Sequence, residues 1–475
     1  MATATKLRPS WDLVDRPATR ILCPANAGAG PPISAETSMS LKHALAATAL
    51  ALGAGLAPVA AQDIHLGVAS CAGSTCHGAP EPFANSPVLQ NEYVTWQRYD
   101  PHAKAYSVLL EDRSKRIAAN LKLSKPAHEA EECLVCHASY VPEELRGARF
   151  SLTDGVGCET CHGGSSRWLG LHASGRATHA QNVEAGLIAT EDPVVRADMC
   201  LDCHFGSTTN PVQFVTHEIM GAGHPRMNFE LDTFTAVQPA HYAMDDDYFE
   251  RKAVVDGVRT WAIGQALMIE RRMDLLTKPE TGMQGMFPEL VFFDCHACHH
   301  PMSQLSWAPR PGTGLTPGWP KFNDAHMLML EAALQMADPA LAEQMGAAIQ
   351  AVHGALYRDR DALNAAAAKT KQIARAAVER LASKTLTDAD MNRALRVVAE
   401  AGSRGVYVDY EAAEQATMAM GAIIEAKKLA GFIDEPGYAR FTAELEKAYA
   451  AIKNDEQYAR ADFRAAAEAM LAAVR

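Results

Sequence analysis

Ten of the eleven cysteines stand in five pairs, and each pair is followed at once by a histidine. They are Cys71 and Cys76 with His77, Cys133 and Cys136 with His137, and Cys158 and Cys161 with His162. Cys200 and Cys203 with His204, and Cys295 and Cys298 with His299, complete the series. Four have the spacing C-x-x-C-H and the first is stretched to C-x-x-x-x-C-H. At this composition one C-x-x-C-H arises by chance about 0.01 times in such a chain, so four are no accident. The chemistry that needs this pattern is thioether attachment of haem. Two thiols add across two vinyl groups, and the adjacent imidazole ligates the iron as the proximal ligand. Zinc knuckles need matched second pairs and do not explain the trailing histidine. Redox C-x-x-C motifs do not recur five times in one chain, and disulfides across such short loops are strained. The spacing therefore implies five haem c groups.

Low-spin iron needs a sixth ligand, in multihaem proteins usually a second histidine. His102 sits in Trp96-Gln97-Arg98-Tyr99-Asp100-Pro101-His102, opening a helix expected to run through Leu110. His172 follows Trp168, His217 and His224 are seven apart, and His241 lies in Pro239-Ala240-His241-Tyr242. These five are the distal candidates, ahead of His128, His179 and His65. His296 and His300 flank the fifth proximal ligand and read as neighbours or propionate partners. An iron left without a distal ligand would be an open catalytic position.

The elements that must position these residues divide the chain. Residues 62–320 allow about 52 residues for each haem, too few for an independent core around each. The cofactors must then form much of the core, with short helices, long loops and few strands. After residue 321 the character changes. No cysteine occurs beyond Cys298, and alanine-rich segments repeat apolar residues at three and four. They run over Met327–Leu334, Leu341–Tyr357, Ala362–Ala382, Ala389–Ala401, Tyr410–Ala430 and Tyr438–Val474. Asp338-Pro339, Thr387-Asp388 and Asp434-Glu435-Pro436-Gly437 supply the stops and starts. The fold class is mainly α: a loop-rich multihaem region, then an α-helical bundle over 321–475. The bundle either packs over the haem region or serves docking and oligomerisation. Met418 and Met420 read as core, and His326 either packs or reaches back to a haem.

Residues 1–61 read as a leader. Within it Met39 to Gln62 resembles a secretory signal, with Lys42 and His43 before an apolar run and Val59-Ala60-Ala61 at the cut. The run is too short and alanine-rich for a membrane span. Residues 1–38 read either as sequence upstream of a true start at Met39 or as an extended leader. Export places the mature chain in the periplasm, and the leader removes Cys23, the odd cysteine. The leader's five basic and three acidic residues take the formal charge from −12 to −14. So acidic a surface argues against nucleic acid and for redox partners with a basic docking patch.

Four stretches carry a resemblance. They are Cys71-Ala72-Gly73-Ser74-Thr75-Cys76-His77-Gly78, Asp100-Pro101-His102-Ala103-Lys104-Ala105-Tyr106, Gly155-Val156-Gly157-Cys158-Glu159-Thr160-Cys161-His162-Gly163 and Ala222-Gly223-His224-Pro225-Arg226. Over residues 66–308 the chain resembles the multihaem cytochrome c family typified by cytochrome c-554. The resemblance implies a helical fold, electron transfer in the periplasm, and distal roles for His102 and His224. The chain departs from it in a fifth site, a stretched first site and a long C-terminal extension. Two functions follow. One is an electron carrier between redox partners. The other is an oxidoreductase of a small nitrogen or sulfur compound at a five-coordinate haem, without the C-x-x-C-K site of multihaem nitrite reductases. A third reading is a structural subunit of a larger haem assembly.

Overall fold

A computed structural model describes residues 63–475 except 85, 87, 253, 254, 284–286, 301–309, 311 and 475. The leader, with its signal segment and Cys23, lies outside the described residues. Helices and 3-10 turns supply the secondary structure. Among the described residues no strand forms, and the only β pairings are isolated bridges at His65–Arg146, Gly206–Phe214 and Phe293–Phe322. The fold is mainly α, as the periodicity implies.

From Ile64 to Asp192 the elements are short. Three of the thiol pairs ride on helices that end on the histidine: Glu131–His137, Cys158–His162 and Pro193–His204. Helical spacing puts cysteines three apart on one face, with the histidine one residue past the second. The backbone must then leave the helix. After His162 it does so through Gly163 at φ +81°, where a Cβ would meet the Gly186 carbonyl oxygen at 2.7 Å, so only glycine fits. The stretched first pair begins at Cys71, which closes the 3-10 turn Val68–Ser70, and the fifth begins on the turn Cys295–Ala297. His102 opens a turn too, but as two 3-10 pieces, Pro101–Lys104 and Ser107–Leu110, rather than one helix. Its own cap Asp100 and Pro101 at the first position favour that tight start.

Eight longer helices form the remainder: α1 Gly257–Thr277, α2 Ala325–Ala337, α3 Pro339–Leu356, α4 Arg360–Ser383, α5 Asp388–Ser403, α6 Tyr410–Leu429, α7 Glu435–Ala451 and α8 Arg460–Val474. Asp256, Asp338, Asp359, Thr387, Asp409 and Asp434 cap α1 and α3–α7 by accepting a backbone N–H of the first turn. Thr387 and Asp390 close a reciprocal capping box. The segment Tyr438–Val474, expected to run with breaks, is interrupted by a 3-10 turn at Asp455–Gln457.

Helix α1 departs from the short elements expected before residue 320. It is 21 residues long and buries Trp261, Ile263, Met268, Ile269, Met273, Leu275 and Leu276, and even Arg271 and Arg272. A helix covered on every side shows no apolar stripe, so periodicity does not reveal it. It packs against α2, α4 and α6 and against the helices Pro193–His204 and Leu231–Val237. At the last crossing a Cβ on Gly264 would meet the Leu231 Cβ at 2.6 Å. Gly264→Ala is expected to lower stability by about 1–3 kcal/mol through overpacking, read as a lower denaturant midpoint at unchanged slope.

The apolar core is lopsided. One buried cluster runs from Ala197 to Met470 and takes in α1–α8. Earlier in the chain the separate cluster is only Leu109, Ala118, Ala127, Leu134 and Ala138. Side chains alone do not supply a full interior there. Among the described residues no helix is long and apolar enough to cross a membrane.

Candidate metal centres

Every histidine that follows a thiol pair faces one other histidine. His77 pairs with His172 at a ring-centre separation of 5.9 Å, and His204 with His102 at 6.0 Å. His299 pairs with His217 at 6.1 Å, His162 with His241 at 6.3 Å, and His137 with His224 at 6.4 Å. The partner rings are the five distal candidates, one each. A metal bonded to two imidazoles at roughly 2 Å, with about 1 Å from nitrogen to ring centre, sets the rings about 6 Å apart. The planes of His77 and His172 are nearly parallel, at 9°. Those of His102/His204, His137/His224 and His162/His241 cross at 82°, 81° and 90°, and His217/His299 tilt at 33°.

Short local elements aim these rings. His217 starts the helix His217–Gly221, capped by Thr216, and Gly223 at φ +122° bends the chain so that His224 serves another pair. Four rings have Nδ1 engaged: His77 by Glu92 at 2.9 Å, His102 by Asp100 at 2.8 Å, His137 by the Ala105 carbonyl and His224 by the Pro225 carbonyl, both at 2.9 Å. A ring that donates from Nδ1 keeps Nε2 as a neutral lone pair for a metal. Burial holds His162 at about 4, and burial with the neighbouring His102 does the same for His204, so both are neutral imidazoles at ordinary pH.

Glu92 and Asp100 do not emerge from the motifs. Asp100 stands two residues before His102, a readable signal, whereas Glu92 lies 15 residues after His77 and only the fold joins them. Asp100 accepts from both the backbone N–H and Nδ1 of His102, and from Gln238 Nε2 at 2.9 Å. Burial alone would lift its carboxyl, but those donors carry it below its ordinary value.

The other histidines lie elsewhere. His179 bonds Glu191, His128 lies 3.5 Å from Glu129, and His65 sits edge-on to Phe150. His296 Nε2 lies 3.1 Å from the Asp455 carbonyl. His326 is buried, with Nδ1 2.7 Å from Gln265 Oε1, so it packs rather than reaching a thiol pair.

The ten described cysteines form no disulfide. Burial lifts Cys200 and Cys295 to about 11, and burial with the nearby Cys200 lifts Cys161 to about 12. Thiols held so far from ionisation are poor nucleophiles and poor thiolate ligands. Their positions link the sites in space. Cys71 lies close to Cys158 and Cys136 close to Cys203, whose Sγ is 3.9 Å from the Val135 carbonyl, and Cys161 lies in the field of Cys200 and Cys203. The first site thus adjoins the third, the third the fourth, and the fourth the second. Cys295 lines a cavity with Phe205, Met220, Arg226 and Arg272, which brings the fifth site beside the second and fourth.

These residues fit haem. Two imidazoles stand one metal apart beside each thiol pair, and the local apolar core is thin where such a group would lie. Two buried donors, Trp168 Nε1 beside His172 and Arg272 Nε at the Cys295 cavity, have no hydrogen-bond partner among the described residues. Among the described residues no cluster of three or more His, Cys, Asp or Glu forms a metal shell; the histidines stand in twos.

A helical chain with thiol pairs abutting opposed imidazoles has the build of a c-type cytochrome. Residues 70–163 match the family described as cytochrome c554 and c-prime, so this segment of the chain is similar to that family. The match takes in the first three thiol pairs and is narrower than the resemblance over 66–308; the last two pairs and His224 lie beyond it. No curated protein and no solved structure matches the chain.

Proposed function

We propose that the protein is a periplasmic multihaem cytochrome that carries five covalent haems and passes electrons between redox partners. Cys71/Cys76, Cys133/Cys136, Cys158/Cys161, Cys200/Cys203 and Cys295/Cys298 would hold them. His77, His137, His162, His204 and His299 would be proximal ligands, and His172, His224, His241, His102 and His217 their respective distal partners. Bound there, haem supplies a reversible one-electron couple at low potential. The carrying observation is that all five trailing histidines have a second imidazole 5.9–6.4 Å away. Turning over a small nitrogen or sulfur compound at iron requires an open coordination position, and paired imidazoles close both faces. The adjoining thiols support a continuous path from the first site through the third and fourth to the second and fifth. The signal-like leader supports export, and the acidic charge supports a basic partner.

Electron paramagnetic resonance of the oxidised protein tests this. Only low-spin ferric signals are expected. The nearly parallel His77/His172 planes split the iron dπ orbitals and give a rhombic signal, whereas crossed planes leave them almost degenerate and give highly anisotropic signals. A high-spin signal, or carbon monoxide uptake by the reduced protein, would overturn the carrier reading. Intact mass counts the haems. Four instead of five would remove the stretched first motif from the set.

A further inference from the structure

Tyr99, Val237, Tyr242, Met244 and Phe249 are large apolar side chains between 43 and 64 % exposed. Their neighbours connect them. Tyr99 precedes Asp100, which bonds Gln238, the residue after Val237. From His241 the rings of Tyr242, Tyr248 and Phe249 follow one another at 6.0, 5.8 and 6.2 Å. The surface thus runs from beside His102 to beside His241, and its aromatic ladder leads from the His241 ring out to Phe249. Exposed apolar residues grouped this way mark an interaction site more often than scattered ones do.

At its His241 end the outward charge is acidic, while Arg98 is exposed beside Tyr99 at the other end. Residues 245–252 hold four carboxylates and two bases, and both bases are engaged within the chain: Arg251 with Asp247, and Lys252 with Glu191 at 4.0 Å and over the Tyr248 ring. Asp245 is spent on capping its helix. Asp246 and Glu250 remain outward and exposed. A small apolar centre with a charged rim suits a short-lived electron-transfer complex, in which complementary charge speeds encounter and the apolar centre is desolvated on contact. A second copy would bring the same carboxylates face to face.

We propose that this surface is the docking site for a redox protein whose own exposed haem edge is ringed by lysines. The proposal rests on the electron-carrier reading and locates where electrons enter or leave, above the third and fourth sites.

The test follows, by stopped flow, electron transfer from the reduced full-length protein to an oxidised lysine-rich monohaem cytochrome c. For wild type the rate is expected to fall steeply with added salt. Asp246→Lys with Glu250→Lys should slow it about tenfold at low ionic strength, flatten the salt dependence, and speed oxidation by anionic ferricyanide. Met244→Ala with Phe249→Ala should slow the cytochrome reaction at every salt concentration with an unchanged haem spectrum. Unchanged rates in both variants would overturn the proposal, as would a wild-type dimer that the Phe249 variant dissociates. Failure of the carrier reading looks different: the reduced wild type would pass no electrons to either acceptor and would bind carbon monoxide.

Discussion

Replacing His102 by alanine should turn one iron per chain high spin and let the reduced protein take up one carbon monoxide. The imidazole of His102 stands 6.0 Å from that of His204, and among the described residues no other histidine pairs with His204. Without it, a haem held at this site would lack its second imidazole. The ring is held unusually firmly, because Asp100 grips its Nδ1 and its backbone N–H while bonding Gln238. Asp100→Asn separates holding from ligation. The ring stays, so the site remains low spin, but an amide withdraws the charge that makes Nε2 a strong donor, and the potential of that site should rise. Absorption, paramagnetic resonance and carbon monoxide titration of the two variants read these outcomes. A His102→Ala protein identical to wild type in all three would remove His102 from the ligand set.

Asp324→Ala should cost about 3–5 kcal/mol through the loss of a buried charge partner. Asp324 is wholly buried just before α2 and compensates two buried cations. Lys321 Nζ lies 3.0 Å from one carboxylate oxygen, Arg310 bonds the other, and His353 lies 3.8 Å away. Lys321 also reaches Asp409, the cap of α6, at 3.1 Å. Removing Asp324 strands positive charge in the core where α2, α3 and α6 meet. Burial by itself would raise this carboxyl, but Lys321 and Arg310 outweigh it and hold it at about 2. Its folded value is thus below its ordinary 3.8, so its stabilising contribution is complete above about pH 4 and fades as pH falls towards 2. Urea midpoints at stepped pH should show wild type losing stability through that window more steeply than Asp324→Asn, which begins lower and changes less.

The thiol pairs and their adjacent histidines were legible because attachment chemistry works on neighbours in sequence. Two cysteines must span two vinyl groups, and the next residue must reach the iron. Helices α3, α4, α5, α7 and α8 were legible for a similar reason: each buries one face, and one face imposes a period. Helix α1 is buried on nearly every side, as are α2 and α6, but unlike them it lies outside the alanine-rich stretch that marked the bundle. The distal histidines stood out as a set of five but not as pairs. A ring 79 to 102 residues away is brought to its partner by loops and 3-10 turns that carry no periodicity.

The chain by itself thus determined five thiol pairs, each with an adjacent histidine, along with its helical character and its acidic net charge, for these rest on local spacing and composition. Only the tertiary structure decided which imidazole faces which, that Glu92 and Asp100 orient them, how the five sites adjoin, and that α1 joins both parts. Those outcomes depend on contacts between residues far apart in sequence, whose positions are set by packing and buried charge, and no local pattern records them.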